Sequence, residues 1–374
     1  MPRSLCPLIL LLLALLPAAL PAQDPATAHR VIARYAALGF EHYERATEKA
    51  EDLERAVETF LLDPSAVSET RAREAWTEAF RAYCATEAFR FSGNPIDAAA
   101  NGPEPMLNAW PVNGKVVETI VVDTRRFPEL TTELLQKAHA PAKAQVTTGF
   151  HVIEYFLFGP RPNAEGPGAE PFADFTRASP SGPRRAAYLR LAAELLVDQL
   201  RYVTDQWRPG SQDNYATALL RMEEPEALRR ILLGMAALSG TALAEDRLPS
   251  QPAALMSAIA DTSGRDFLTN AVGVHIVYRG GFDEEIGPGI YDLLVAAGEG
   301  GLAEKLDARM QRSVALLARI PKPYSAAASA EPGSPGAEAN QAAIANLKAQ
   351  AIELAEAGQR LGVENLAAPA ESVQ

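Results

Sequence analysis

From Val31 onward the apolar positions recur every three or four residues. Val31, Tyr35 and Leu38, then Ala46, Ala50, Leu53, Val57 and Phe60, form the stripe of one long amphipathic helix. Asp63-Pro64 stops it, and Ser68-Glu69 open a second helix through Trp76, Phe80 and Tyr83. The stretch from Asn94 to Gly114 is rich in proline and glycine and predicts an extended loop. Helix resumes near Lys115, breaks at Phe127-Pro128 and returns from Lys143 to Phe158. Val116 to Val122 is the one β-rich run, predicting a brief strand or an irregular segment. Later, Leu189, Ala193, Leu196, Leu200, Val203 and Trp207 repeat the spacing of a bundle helix, and further helices are expected at 224–247, 251–260, 264–278, 290–319 and 343–361.

This pattern predicts an all-α fold of two fused helical bundles. The prolines and glycines of 161–183 mark the expected linker, with one bundle over 23–160 and a second over 184–374. Pro321 to Asn340, built from Ala, Ser, Pro and Gly, predicts a mobile loop before the last helix. A length of 374 residues suits two domains.

The N-terminus departs from the amphipathic pattern. Arg3 precedes a leucine-rich run from Leu8 to Leu16, and Leu20-Pro21-Ala22 offers a cleavage site, so 1–22 is expected to be a secretory signal. The apolar run is shorter than a spanning helix needs. The expected location is therefore the periplasm, with association to the outer membrane open, and the mature chain is expected to have no transmembrane span. Loss of Arg3 would take the net charge from −12 to −13. Such an acidic chain has no surface for a phosphate backbone, which excludes nucleic acid. Cleavage would leave Cys84 alone, and its place in a helical pattern predicts a buried thiol. Any ligand must then be held by oxygen and nitrogen.

Those donors concentrate in one segment. Between Gly149 and Gly159 seven of nine residues are apolar, and the two exceptions are His151 and Glu154. Three positions apart on a helix they are neighbours, and a buried carboxylate is costly unless paired or bound to a metal. Either the two hydrogen-bond and fix packing, or both are metal ligands completed from other helices. The spacing does not supply the His-Glu-x-x-His zinc peptidase arrangement, because Val152 follows His151 and Tyr155 stands one turn on. Of the other histidines, His42 lies on a core stripe and is expected to be hydrogen-bonded there, while His29, His139 and His275 lack a partner at ligand spacing.

The segment 149–159 resembles the Gly-x-His-x-x-Glu signature of the imelysin family of bacterial envelope proteins. Ala75-Trp76, Tyr83, Thr86-Glu87 and Phe89-Arg90-Phe91 are similar to the family's Ala-Trp, Tyr and Thr-Glu-x-x-Arg-Phe stretch, and Asn108-Ala109-Trp110-Pro111 to its Asn-Ala-Trp-Pro turn. Ser239 to Arg247 resembles its Gly-x-Leu-Ala-x-Glu-Arg segment with one residue inserted or shifted. The Glu-His-Ser-Cys-Phe-Ser-Asp stretch of members near imelysin is missing: Ala258 to Asp266 stand there, followed by a family-like Tyr278 and Gly280.

The resemblance implies a site in the crevice between two bundles. It points to metal binding, with iron or zinc as the ion, through His151, Glu154 and Glu87, and to a role in metal acquisition beside an iron-transport component or outer-membrane partner. Arg90, Trp110, Glu245 and Arg247 are further crevice candidates, and Asp266 is expected in the first turn of a helix. A metallopeptidase, and a module binding peptide or polysaccharide without metal, are the alternatives. The peptidase ranks lower because no general base stands beside His151.

Overall fold

The computed structural model describes residues 25–91, 93–98, 102–159, 172–281, 286–363 and 366. The expected signal, 1–22, and the part of 161–183 before residue 172 lie outside the described residues. Among the described residues there are α-helices and no β-strand, so the fold class is all-α. The first half holds α1 (Pro25–Leu62), α2 (Ala66–Ala85), α3 (Glu104–Asn108), α4 (Gly114–Val122), α5 (Thr132–Ala138) and α6 (Phe150–Phe158). It is followed by α7 (Gly182–Trp207), α8 (Tyr215–Leu220), α9 (Glu224–Ala237), α10 (Ser263–Arg279), α11 (Ile290–Ala296), α12 (Gly300–Arg319), α13 (Tyr324–Ala328) and α14 (Pro335–Arg360).

The stripes read from spacing are the buried faces. Every named position from Val31 to Phe60 in α1 is buried, as is every one from Leu189 to Trp207 in α7. Helix α7 lies along α1 and also meets α4, α5 and α6, so the chain beyond the proline-rich stretch returns to the N-terminal helices. The buried apolar side chains form one contiguous core.

Local chemistry explains the other departures. Val116 to Val122 is helical: Asn113 caps it by accepting the Lys115 N–H at 3.1 Å, and Val117, Ile120 and Val121 bury one face. The stretch 94–114 contains α3, and 251–260 is a short 3-10 turn followed by loop. The helix expected from Lys143 begins only at Phe150, after Gly149 at φ 88°. The run 290–319 is divided at Gly298, φ 82°. The expected mobile loop 321–340 holds α13 and the start of α14, with the chain irregular only at 321–323 and 329–334. Its prolines and serine are helix-start signals, with Pro323 preceding α13 and Ser334 capping α14 ahead of Pro335.

Helix α9 runs without a break into a π-helix, Leu238–Arg247. The combined rod is long and apolar enough to cross a membrane, yet it is mostly buried within the protein, against α14 and α10. Helix α10 packs on α2 and on α12, which places a seam between the early and late helices.

Candidate functional site at the helix seam

Helix α6 enters the seam at a point that only glycine allows. A Cβ at Gly149 would meet the Met106 carbonyl oxygen at 2.6 Å and collide with that of Leu107. The close approach lets α6 begin directly beneath α3 and sets His151 opposite Asn108. Trp76 of α2 fixes the other side of this turn by donating Nε1–H to the Phe150 carbonyl at 2.9 Å.

His151 and Glu154 are both buried and meet as predicted, with Nδ1 2.7 Å from Oε2. The second carboxylate oxygen, Oε1, accepts the Ala260 N–H at 2.7 Å. The imidazole Nε2 lies 3.1 Å from Asn108 Oδ1, and Asn108 Nδ2 donates to Glu87 Oε1 at 3.2 Å. A chain of polar contacts thus links Glu87, Asn108, His151, Glu154 and the backbone at Ala260. Phe80 presents an edge-on ring 5.1 Å from the imidazole.

Two arginines close the Glu87 end. Arg247 Nη1 lies 2.5 Å from Glu87 Oε2 and donates to Asn270 Oδ1 at 2.7 Å, while Asn270 Nδ2 donates to the Cys84 carbonyl at 2.8 Å. Burial works against the Arg247 charge, but Glu87 outweighs it and holds the guanidinium pKa above its ordinary value. Arg90 Nη1 is 3.5 Å from Glu87 and 2.9 Å from Glu104, and its Nη2 donates to Asp97 at 2.8 Å. Burial pushes the Glu104 carboxyl upward against the pull of Arg90.

Glu87, His151, Glu154, Arg90 and Arg247 therefore gather in one network. Trp110 is at its rim, 6.0 Å from the His151 ring and 5.7 Å from the Arg247 guanidinium, with Nε1–H on the Ala254 carbonyl at 3.2 Å. Glu245 is not part of it. Its side chain is 61% exposed and faces Lys348, whereas Arg247, two residues on, is 3% exposed. Two positions along a helix point to nearly opposite sides, so both could not enter the seam. Asp266 lies in the first turn of α10 as expected and accepts from Ser257 Oγ at 2.6 Å and Thr262 Oγ1 at 2.9 Å. Burial, opposed by those hydrogen bonds and reinforced by nearby Glu154, raises its pKa to about 7.

Asn108 and Asn270 were not among the residues expected from sequence. The signal for Asn108 was present, since it opens the Asn-Ala-Trp-Pro turn in which only Trp110 drew attention. Asn270 sits in a polar-apolar helix pattern with nothing to distinguish it. Three of the other histidines have partners of their own: His42 Nδ1 contacts the Leu38 carbonyl at 2.8 Å, His139 Nδ1 accepts the Thr147 N–H at 3.2 Å and His275 Nε2 meets Asp307 at 2.8 Å. Cys84 is a buried free thiol.

The donor atoms expected to hold a metal are committed to one another. Glu87, facing Arg247 and Arg90, is an acceptor, so Asn108 must turn its amide N–H₂ to Glu87 and its oxygen to His151. An oxygen opposite Nε2 is answered by Nε2–H, and Nδ1 is hydrogen-bonded to Glu154 at 2.7 Å. Both ring nitrogens are thus engaged within the protein. Among the described residues no group of three or more His, Cys, Asp or Glu is placed to hold a metal ion. As arranged, His151 and Glu154 contact each other, while Glu87 lies beyond Asn108 and against Arg247.

The imelysin profile, peptidase M75, matches residues 39–354, and the chain belongs to the imelysin family. A structure from Parabacteroides distasonis described as a candidate iron-regulated protein A precursor is similar, with 19% identity, a TM-score of 0.71, and coverage of 92% of this chain and 97% of that one. An imelysin-like protein from Psychrobacter arcticum is similar at 17% identity and TM-score 0.67, over 90% of this chain and 96% of that one. These likenesses show the shared fold. No curated protein matches the chain.

Proposed function

We propose that the chain is a non-proteolytic imelysin-family protein of the bacterial envelope that acts in iron acquisition, in contact with an iron-transport component or outer-membrane partner. The observation that carries the non-proteolytic part is the closed hydrogen-bond chain through His151. Hydrolysis needs a base within reach of an attacking water. Here Glu154 spends one oxygen on His151 and the other on the Ala260 N–H, and both side chains are buried. The link to iron is supported by the description of the Parabacteroides neighbour as iron-regulated.

A second reading has a metal ion, iron or zinc, bound through His151, Glu154 and Glu87. It is favoured by the convergence of one imidazole and two carboxylates in a single buried seam, and it requires His151 to give up its present partners. Elemental analysis and calorimetric titration with iron and zinc, on wild type and on the His151→Ala/Glu154→Ala variant, separate the two. The first reading expects the double substitution to lower stability and leave metal content unchanged. Loss of bound metal in a variant that keeps its helicity would carry the second. Chelator-sensitive cleavage of a peptide library by the wild type would overturn the non-proteolytic reading.

A further inference from the structure

The segment Ser239 to Arg247, which resembles the family's stretch with one residue inserted or shifted, folds as the π-helix Leu238–Arg247. A π-helix closes its hydrogen bonds at i to i+5, so it takes up an added residue by widening the helix rather than by looping it out. The widened stretch is held from behind, where Gln350 of α14 donates to Ser239 Oγ at 2.9 Å and Ser239 donates to the Met235 carbonyl at 2.7 Å. Its last residue is Arg247, whose guanidinium enters the seam.

We propose that Arg247 is the resident cation of this seam: its guanidinium supplies the positive charge facing Glu87 that a bound metal ion would otherwise supply. The inference rests on the seam geometry and not on the iron-acquisition reading. The guanidinium stands 2.5 Å from Glu87, bonds Asn270 and lies over Trp110, so it is in contact with an acid, an amide oxygen and an aromatic face at once. Its Nε–H has no hydrogen-bond partner among the described residues although it is buried. A side chain chosen for hydrogen bonding alone would not leave a buried donor unused, whereas one that balances a buried carboxylate can. Arg90 is the second cation near Glu87, but it is shared with Asp97 and Glu104 and stands farther off at 3.5 Å.

The test replaces the resident cation and asks whether another can take its place. Arg247→Ala, Arg247→Lys and the charge-free pair Glu87→Gln/Arg247→Ala are compared with wild type by thermal melting, with and without zinc or methylguanidinium, and by zinc equilibrium dialysis. The wild type is expected to take up no stoichiometric zinc at micromolar concentration. Arg247→Ala is expected to melt lower and to be raised by zinc or by methylguanidinium, while Arg247→Lys and the double variant stay closer to wild type and respond to neither. If Arg247→Ala fails to fold alone, the same cations are expected to restore its refolding. Stoichiometric zinc binding by the wild type overturns the proposal. So does an Arg247→Ala protein that neither cation stabilises or refolds while the double variant is folded.

Discussion

Glu154 Oε1 accepts the backbone N–H of Ala260 across 106 residues of sequence, at 2.7 Å. The contact joins α6 to the loop that leads into α10, and that loop is bent hard: Ser257 and Asp261 both adopt left-handed backbone, at φ 54° and 59°. Asp266 holds the same loop through Ser257 and Thr262. Two buried carboxylates from different helices therefore hold one strained connection between them.

Truncating Glu154 removes the acceptor for Ala260 and the partner of His151 together. Glu154→Ala is expected to cost about 3–5 kcal/mol, because it leaves buried polar groups uncompensated. Glu154→Gln retains an oxygen for the Ala260 N–H and is expected to lose less. Urea denaturation of the two variants against wild type checks the order, and equal losses would show that the Ala260 bond contributes little.

Asp266 makes stability depend on pH. Its folded pKa is raised from 3.8 to about 7. A raised carboxyl binds its proton more tightly in the folded state, so its stabilising contribution is full below the unfolded value and is lost as pH rises through about 7. Between pH 4 and pH 8 the loss is expected to be a few kcal/mol, at about 1.4 kcal/mol per pH unit between the two pKa values. Asp266→Asn, which cannot ionise, is expected to flatten this part of the stability profile measured by denaturant midpoint. A variant whose pH slope matches that of wild type would contradict the assignment.

Gly149→Ala tests the entry of α6. The substitution places a Cβ against the Leu107 and Met106 carbonyls at a residue with φ 88°. Strained backbone at such a position costs about 1–3 kcal/mol before any clash is counted. The denaturant midpoint is expected to fall with an unchanged slope, together with a loss of the near-ultraviolet signal from Trp76 and Trp110 beside the site.

Trp76→Phe removes the hydrogen bond to the Phe150 carbonyl while keeping an aromatic ring against Phe80 and Phe158. The Phe150 carbonyl keeps its helical partner in α6, so the loss is that of one hydrogen bond, about 0.5–1.5 kcal/mol. Thermal melting is expected to show that loss, and a neutral result would mean that this bond contributes nothing net.

Much of this molecule was legible along the chain. Helical periodicity identified the buried faces of α1 and α7 because a stripe every three or four residues has one physical outcome, burial of that side. The same reasoning singled out His151 and Glu154, since two polar residues in an otherwise apolar helix must meet something, and on a helix they meet each other. The end of that helix at Phe158 was read correctly, while its start, expected at Lys143, falls at Phe150, and nothing in the Ser239–Arg247 stretch announced a π-helix.

What periodicity could not decide was partnership across the seam. Asn108, Arg247, Asn270 and the Ala260 N–H come from four elements, none of them near α6 in sequence, and hydrogen bonding has no period by which a chain announces such meetings. The same blindness affected helix α7, whose composition says that it packs but not that it packs back on α1. The surroundings of His151 and Glu87 are of this kind. Spacing placed an imidazole and a carboxylate on one helix face, but only the tertiary structure set the Asn108 oxygen against Nε2 and a guanidinium against Glu87, and those contacts determine which lone pairs are free.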